Sequence, residues 1–545
     1  MTEEATMRAM MNGARAGVLV MAGSACGLAC GLVVLAGTAQ AAAPDVGVAV
    51  GVAEGRADVE AQARAMLVKA QGFMRSRQHA SGGWGVREQG PVFPAITGLV
   101  VLGMVDGPRG AESTVATTDP AMQKALEFLL SKQAENGGIF DQVLPSYNTA
   151  IALSALTRYP DEKAKEAAVR ALAFLRTLQW SEEAANQADM TAAAAAVGRE
   201  HAFYGGVGYG RHGRPDLSNT AFFVEALRDA GVEKDDPAFQ RALVFLARTQ
   251  MLDRVEGATK GEERVNDAAY AAGSTQGGFI YSTSVNKDRV GVGQSFAGDV
   301  AESLSGPPGV VLRLTFGKAD DGSVRMVAKS AVEEAMARVA AGAGGAGGAG
   351  GAWPGGAEAK AMVLLGQTPD NVMSGSMEVR TPMTDVEGAI AAATPVLREA
   401  FPDVAIAAEP VAAWQGVSRL RAYGSMTYSG FKSLVYAGLT AEDPRVAAAR
   451  GWIERNYTVD ENPALGTDGY YYYLVAFGKA LQAAGMERVK TPTGEREWRA
   501  DLITRLATLQ NEDGSFRSVD DRWMENDPEL ITAYAMIALQ HALRE

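Results

Sequence analysis

The sequence predicts a mainly α fold, an (α/α)6 toroid of six helix pairs interrupted by a small α+β or disordered insertion. Three observations carry this expectation. One plan repeats six times: an amphipathic helix that typically closes on glutamine, a glycine turn carrying an aromatic, and a second, more apolar helix opened by a capping residue. Helix starts are marked by Asp119-Pro120, Asp236-Pro237, Asp443-Pro444 and Asp527-Pro528, with aspartate as N-cap and proline at the first helical position. Such pairs stack as an open solenoid or close into a ring. The first and last units lack the polar outer faces an open stack needs, which favours closure, with the apolar helices as the inner barrel.

The units follow in order. Unit one has a helix from about Asp58 to Arg77, Gln78, the turn Gly82-Gly83-Trp84-Gly85 and a helix from Pro94 to Met104. Unit two places Met122, Leu126, Leu129 and Leu130 at helical spacing, then Gln133, Gly137-Gly138-Ile139-Phe140 and a helix opened by Tyr147-Asn148-Thr149. Unit three runs from Asp161 to Gln179-Trp180, resumes after an Ala-rich interruption at Tyr204 to Tyr209, and starts its second helix at Ser218-Asn219-Thr220. In unit four Phe239, Leu243 and Leu246 lead to Gln250 and Gly277-Gly278-Phe279, but the second helix is displaced to Tyr423 through Leu439. Unit five ends its first helix near Tyr457 and opens its second around Gly469 to Tyr473; unit six closes with Gln510, Gly514-Ser515-Phe516 and the helix after Asp527-Pro528. The toroid thus spans 58–282 and 421–545.

The displaced segment, 283–420, is of another kind. Val310 to Phe316 and Ser323 to Val327 flank Asp320-Asp321-Gly322 and read as a hairpin. Val332 to Ala341 and Val386 to Phe401 read as helices, Met377 to Arg380 and Val404 to Ala407 as extended, and 342–356 as a Gly/Ala linker. A small α+β insertion and a disordered loop both fit this pattern.

At 545 residues, 47% hydrophobic and 21% charged, the chain can bury one large core or more. The net charge of -13 argues against nucleic acid and anionic membrane as partners; peripheral membrane contact of another kind stays open. Residues 1–43 read as a secretory signal: Arg8 and Arg15 precede the apolar run Ala16 to Gly37, which leads into Ala39-Gln40-Ala41. Cleavage after Ala41 or Ala43 would place the protein in the periplasm or outside the cell; an uncleaved anchor of roughly 20 residues is the alternative. Cys26 and Cys30, the only cysteines, lie in this segment, so the processed chain would have no disulfide, thiolate zinc site or cysteine nucleophile.

If the inner helices run the same way, their N-termini gather Asp141, Tyr147, Tyr209, Asp216, Tyr423, Tyr428, Asp468, Tyr470, Asp520, Asp521, Trp523 and Asp527 at one mouth. Capping accounts for Asp216 and Asp527, and Tyr470 to Tyr473 point in four directions, so one or two of them are core. Asp520 and Asp521 have no equally plain capping role and are the first catalytic candidates. Tyr147, Tyr209, Asp216, Tyr423, Tyr428, Asp468, Tyr470 and Trp523 are the ligand-binding candidates. His79, His201, His212 and His541 show no metal-ligand spacing, and Gly205 to Gly213 joins no strand to a helix, so neither metal nor cofactor is expected.

The Gln-then-Gly-aromatic turns, as in Gln510-Asn511-Glu512-Asp513-Gly514-Ser515-Phe516, resemble the QW-type repeats of squalene/hopene cyclases and related prenyltransferases. Tyr423 to Tyr428 with Asp521 to Glu525 is similar to the secreted bacterial subset of prenyltransferase and squalene oxidase repeat proteins. The resemblance implies the toroid. It carries the chemistry over only in part. The nearest match to the cyclases' D-x-D-D motif, Ser518-Val519-Asp520-Asp521, lacks the first aspartate and lies in the last unit; the repeats supply one toroid where triterpene cyclases have two barrel domains. Acids at helix N-termini are also favoured as carboxylates, whereas an alkene-protonating acid must hold its proton. The Asp, Cys and His zinc set of protein prenyltransferases has no counterpart. Three functions stay open: binding, with or without transformation, of an apolar isoprenoid-like ligand or other lipid; binding or cleavage of a glycan by carboxylates and stacking aromatics; and a protein-binding scaffold. Oligomeric state is open as well.

Overall fold

The structure, a computed structural model, describes residues 47–86, 90–107, 111–182, 196–210, 214–255, 264–286, 289–303, 309–315, 327–328, 335, 338–339, 371–372, 376–381, 385–411 and 416–544. The signal segment 1–43 with both cysteines, His212, Asp320 to Met326 and the 342–356 linker lie outside them. The chain divides into compact units of residues 1–61 and 62–545.

The described residues are mainly α. In chain order the helices are α1 (Gly47–Ser76), α2 (Pro94–Val105), α3 (Pro120–Ser131), α4 (Pro145–Leu156), α5 (Glu162–Thr177), α6 (Leu217–Asp229), α7 (Pro237–Thr249), α8 (Val386–Ala400), α9 (Gly424–Tyr436), α10 (Pro444–Arg455), α11 (Tyr470–Ala483), α12 (Trp498–Ala507) and α13 (Pro528–Ala542). Asp119, Asp161, Asp236 and Asp443 each accept a first-turn backbone N–H of α3, α5, α7 or α10, satisfying donors that have no intrahelical partner.

Two sets of helices differ in burial. In α2, α4, α6, α9, α11 and α13 nearly every side chain is buried, whereas α3, α5, α7, α10 and α12 bury only a stripe. Within the buried set α2 packs on α4, α4 on α6, α6 on α9, α9 on α11, α11 on α13, and α13 on α2. The half-buried helices pack outside them: α3 on α2, α5 on α4, α7 on α6 and α9, α10 on α9, α12 on α13 and α11.

The repeated turns are held by the same three devices in five places. The Nε2 of Gln78, Gln133, Gln179, Gln250 and Gln510 donates to its own turn glycine's carbonyl and to a carbonyl of another helix, that of Ala121, Ala167, Ala238, Arg445 or Met66, at 2.8–3.2 Å. The turn glycines Gly82, Gly137, Gly205, Gly277 and Gly514 have φ between +82° and +93°, and a Cβ there would lie 1.8–2.4 Å from a carbonyl oxygen of that same helix. Glycine is required twice over, by conformation and by space. Two residues on, the N–H of Trp84, Ile139, Val207, Phe279 or Phe516 donates to Thr97, Thr149, Thr220, Thr427 or Thr532 in a buried helix. In the fourth copy the bonds from Phe279 to Thr427 and from Tyr423 N to Phe279 O span the long insertion. The fifth unit has no such glutamine; Tyr457 Oη donates to Asp501 of α12 at 2.7 Å instead.

Within the insertion, strand Gly309–Thr315 lies between Ser376–Thr381 and Ala405–Val411, antiparallel to both. Val310, Leu312 and Leu314 face α8, where Ala389, Ala393 and Leu397 complete a buried cluster with Val339 and Phe401. The expected hairpin between Val310 to Phe316 and Ser323 to Val327 does not form. Both edges of the first strand are taken, and Val327 pairs with Val372.

Candidate functional site

Four rings meet where the buried helices begin. Tyr147 of α4 packs edge-on to Phe222 of α6 at 5.3 Å, Phe222 lies 6.1 Å from Tyr472 of α11, and Tyr472 lies 6.2 Å from Tyr534 of α13. The hydroxyls of Tyr534 and Tyr147, 3.4 Å apart, complete the circuit. The rings are at contact spacing, so they form a floor, with Tyr147 and Tyr472 partly accessible and Phe222 and Tyr534 buried. Tyr472 Oη is held by Ser218 and Ser429 at 3.0 and 3.3 Å.

A second group of aromatics joins them. Tyr209 lies 6.4 Å from Tyr147 and bonds Tyr281; Tyr281 stacks obliquely on Phe296 at 4.6 Å, and Phe296 meets Trp523 edge-on at 5.5 Å. Tyr423, at the N-cap of α9, lies within electrostatic reach of Arg522 and Asp216. Burial raises the hydroxyl pKa of Tyr209, Tyr281 and Tyr423, and that of Tyr472 to about 12. These groups stay neutral. This aromatic cluster, the cup, keeps accessible surface at Tyr147, Tyr209, Phe296, Tyr472 and Trp523.

The cup's acids are unusual. Asp216 caps α6, its two oxygens accepting from Asn219 N and Nδ2 at 2.8 Å each, and burial still pushes its carboxyl up to about 6. Asp468 pairs with Arg522, whose guanidinium also covers the rings of Trp523 at 4.4 Å and Phe296 at 5.4 Å. Burial outweighs this cation and raises Asp468 to about 6, and its Oδ1 is buried without a partner. Glu525 accepts the N–H groups of Tyr471 and Tyr472 at 2.9 and 2.8 Å, capping α11 from a distant segment because Gly469 has no side chain to do so. Burial lifts Glu525 to about 8 despite these donors. Acids at helix starts are expected as carboxylates; burial reverses this for Glu525, while Asp216 and Asp468, raised only to about 6, remain mostly ionised at neutral pH.

Of the residues expected at the mouth, Tyr147, Tyr209, Asp216, Tyr423, Asp468 and Trp523 come together. Tyr428 does not; it packs on Tyr473 at 5.5 Å and Phe477 at 5.1 Å, in the core between α9 and α11. Tyr470 faces outward, donating to Val459 O and accepting from Arg505 of α12. Helical geometry turns Tyr472 into the cup instead. Asp141 is half-exposed in an ion pair with Lys132. Asp520 does have a local role, accepting Arg522 N at 2.7 Å in an Asx turn, and Asp521 is exposed. As a pair they are displaced as first candidates by Asp468. Sequence reasoning missed Phe222, Tyr281, Phe296, Tyr534, Arg522 and Glu525. The first four read as ordinary core aromatics, and only their convergence from separate elements sets them apart.

At the other end of the buried helices Glu225 of α6 receives both Lys432 of α9 and Lys479 of α11, all three buried. Asp106, after α2, pairs with Arg158 at 2.5 Å and Arg544 at 3.3 Å. Five cations face three acids when Arg228, paired to Asp229, is included, and the partial negative charge of converging helix C-termini offsets the difference. No group of three His, Cys, Asp or Glu among the described residues could hold a metal ion. A scan of protein families and a search of curated proteins each find no match to the chain.

Proposed function

We propose that the chain is an (α/α)6 toroid similar to those of squalene/hopene cyclases and prenyltransferases, and that its cup binds an apolar, isoprenoid-like ligand. The circuit of neighbours from α2 back to α2 and the tie from Gln510 to Met66 support the closed ring. One observation carries the ligand class: Tyr147, Tyr209, Phe296, Tyr472 and Trp523 keep accessible ring surface, but the hydroxyls of Tyr147, Tyr209 and Tyr472 are engaged with other tyrosines and with serines. What the cup offers a ligand is therefore aromatic surface, not free hydrogen-bonding groups. Export through residues 1–43 belongs to the same proposal; among the described residues no helix is long and apolar enough to cross a membrane.

For any proton transfer in the cup Asp468 is the best placed acid, since Glu525 and Asp216 turn their oxygens to helix N–H groups while Asp468 Oδ1 has no partner. Glycan binding is the second reading, favoured by the partly accessible Trp523 beside Asp520 and Asp521. Native mass spectrometry of the protein purified from a membrane-containing lysate, followed by lipid extraction, tests the first. A stoichiometric lipid lost on Tyr472→Ala supports it. An empty cup together with a positive glycan array would replace it with the second, and a negative result in both would leave a scaffold.

A further inference from the structure

Among the described residues, the segment between the last glycine turn and α13 is the only one with two consecutive non-glycine residues at positive φ. Trp523 and Met524 are consecutive non-glycine residues with φ of 54° and 66°. Left-handed backbone of this kind persists only where its surroundings over-determine it. Here the surroundings are the cup. Arg522 reaches Asp468, the Trp523 ring lies against Phe296 and against Gly469, where a Cβ would come within 2.8 Å of it, and Glu525 holds the N–H groups of Tyr471 and Tyr472. The backbone bonds of the segment are local, Glu525 N to Arg522 O and Asp527 N to Met524 O. It is tied to the cup by three side chains, two of which touch the aromatic and acidic groups a ligand would meet.

We propose that residues 518–526 form a lid over the aromatic cup, latched by Trp523, and that the structure described is the closed state. In it the guanidinium of Arg522 occupies the space between Phe296, Trp523 and Asp468. Opening swings Arg522 and Trp523 away together, releases Asp468 and frees the first turn of α11, including Tyr472. Relief of the left-handed backbone favours opening, and the ring contacts and ion pair oppose it. The role assigned to the lid rests on the cup being the ligand site; the opening itself is measurable without any ligand.

Protonation favours the closed state. The groups facing Glu525 are Asp520 of the lid, Asp468 before α11, Tyr470 to Tyr472 of α11 and Tyr534 of α13. Closed, Glu525 keeps its proton up to about pH 8; open and solvated, it would ionise near about 4.3. The closed state binds the proton more tightly, so raising the pH favours opening.

The test is amide hydrogen exchange of the full chain, followed by mass spectrometry, at the peptide holding Tyr471 and Tyr472. Exchange there is expected to be faster than in the middle of α11. Protection, corrected for intrinsic rates, should fall from about pH 5 to about pH 8 and level off above it. Trp523→Ala should lower it about tenfold by removing the ring contacts. Met524→Gly, which relieves strain and keeps the latch, should raise it about threefold or more. Glu525→Gln should abolish the pH dependence above about pH 6, leaving below it the part due to Asp468. Tyr471 and Tyr472 amides that exchange only at the rate of the whole of α11, with no pH dependence and no opposite response of the two backbone variants, would overturn the lid. Binding of ligand at the cup with such a result would leave the site standing without it.

Discussion

Gln510 Nε2 donates to the carbonyl oxygen of Met66 at 2.9 Å, joining residues 444 positions apart in the chain. It is the same bond that Gln78, Gln133, Gln179 and Gln250 make to helices much nearer in sequence, except for Gln250, whose partner Arg445 lies beyond the insertion.

Replacing Gln510 by leucine removes its hydrogen bonds to the Met66 and Gly514 carbonyls. A loss of roughly 1–3 kcal/mol is expected in urea unfolding. Gln133→Leu should cost a similar amount. No loss in either variant would show that the glutamines are incidental.

The turn glycines should tolerate nothing larger. Gly277→Ala places a Cβ 2.4 Å from Ala448 O at φ +82° and should cost more than about 2 kcal/mol. Gly72 in α1 has open space within 4 Å of where a methyl would sit and no left-handed φ, so Gly72→Ala should add about 0.5–1 kcal/mol. Thermal melts of the two variants moving in the same direction would contradict this contrast.

Glu225 is the shared partner of two buried lysines, which hold its carboxyl well below the usual range against burial. Glu225→Ala should cost about 3–5 kcal/mol because it strands both cations. For an acid with a depressed folded pKa the stabilisation is present above the unfolded value, about 4.5, and is lost as pH falls toward the folded one. Acid unfolding of a Glu225→Gln protein should accordingly lack part of the wild-type dependence below about pH 4.5.

Asp216 behaves in the opposite sense. Its pKa is raised to about 6, so its contribution is full below the unfolded value of 3.8 and is lost as pH rises through about 6. Asp216→Asn keeps an N-cap acceptor and should flatten the decline in stability between about pH 4 and 7. An unchanged slope in denaturant titrations across that range would rule out Asp216 as its source.

Neighbouring tyrosines should separate binding from stability. Tyr472→Ala is expected to abolish retention of a co-purifying ligand, whereas Tyr470→Ala should lower the melting temperature and leave retention intact, since its ring meets Arg505 on the outer side. Loss of ligand in both, at equal stability, would misplace the cup.

Helix starts, glycine turns and the alternation of amphipathic and apolar helices were all legible in the sequence, because local spacing and capping chemistry decide them. Asp119, Asp236, Asp443 and Asp527 announce helices regardless of what lies elsewhere. Which tyrosine of Tyr470 to Tyr473 faces inward was decided only by where α11 lies between α9, α12 and α13. The raised carboxyls of Asp216 and Asp468 and the protonation of Glu525 also needed the tertiary structure, since capping predicts an ordinary carboxylate and only burial by distant chain segments opposes it. The cup belongs to neither the helices nor the turns alone. Its rings and acids come from residues between 147 and 534, and a linear pattern cannot record that they converge.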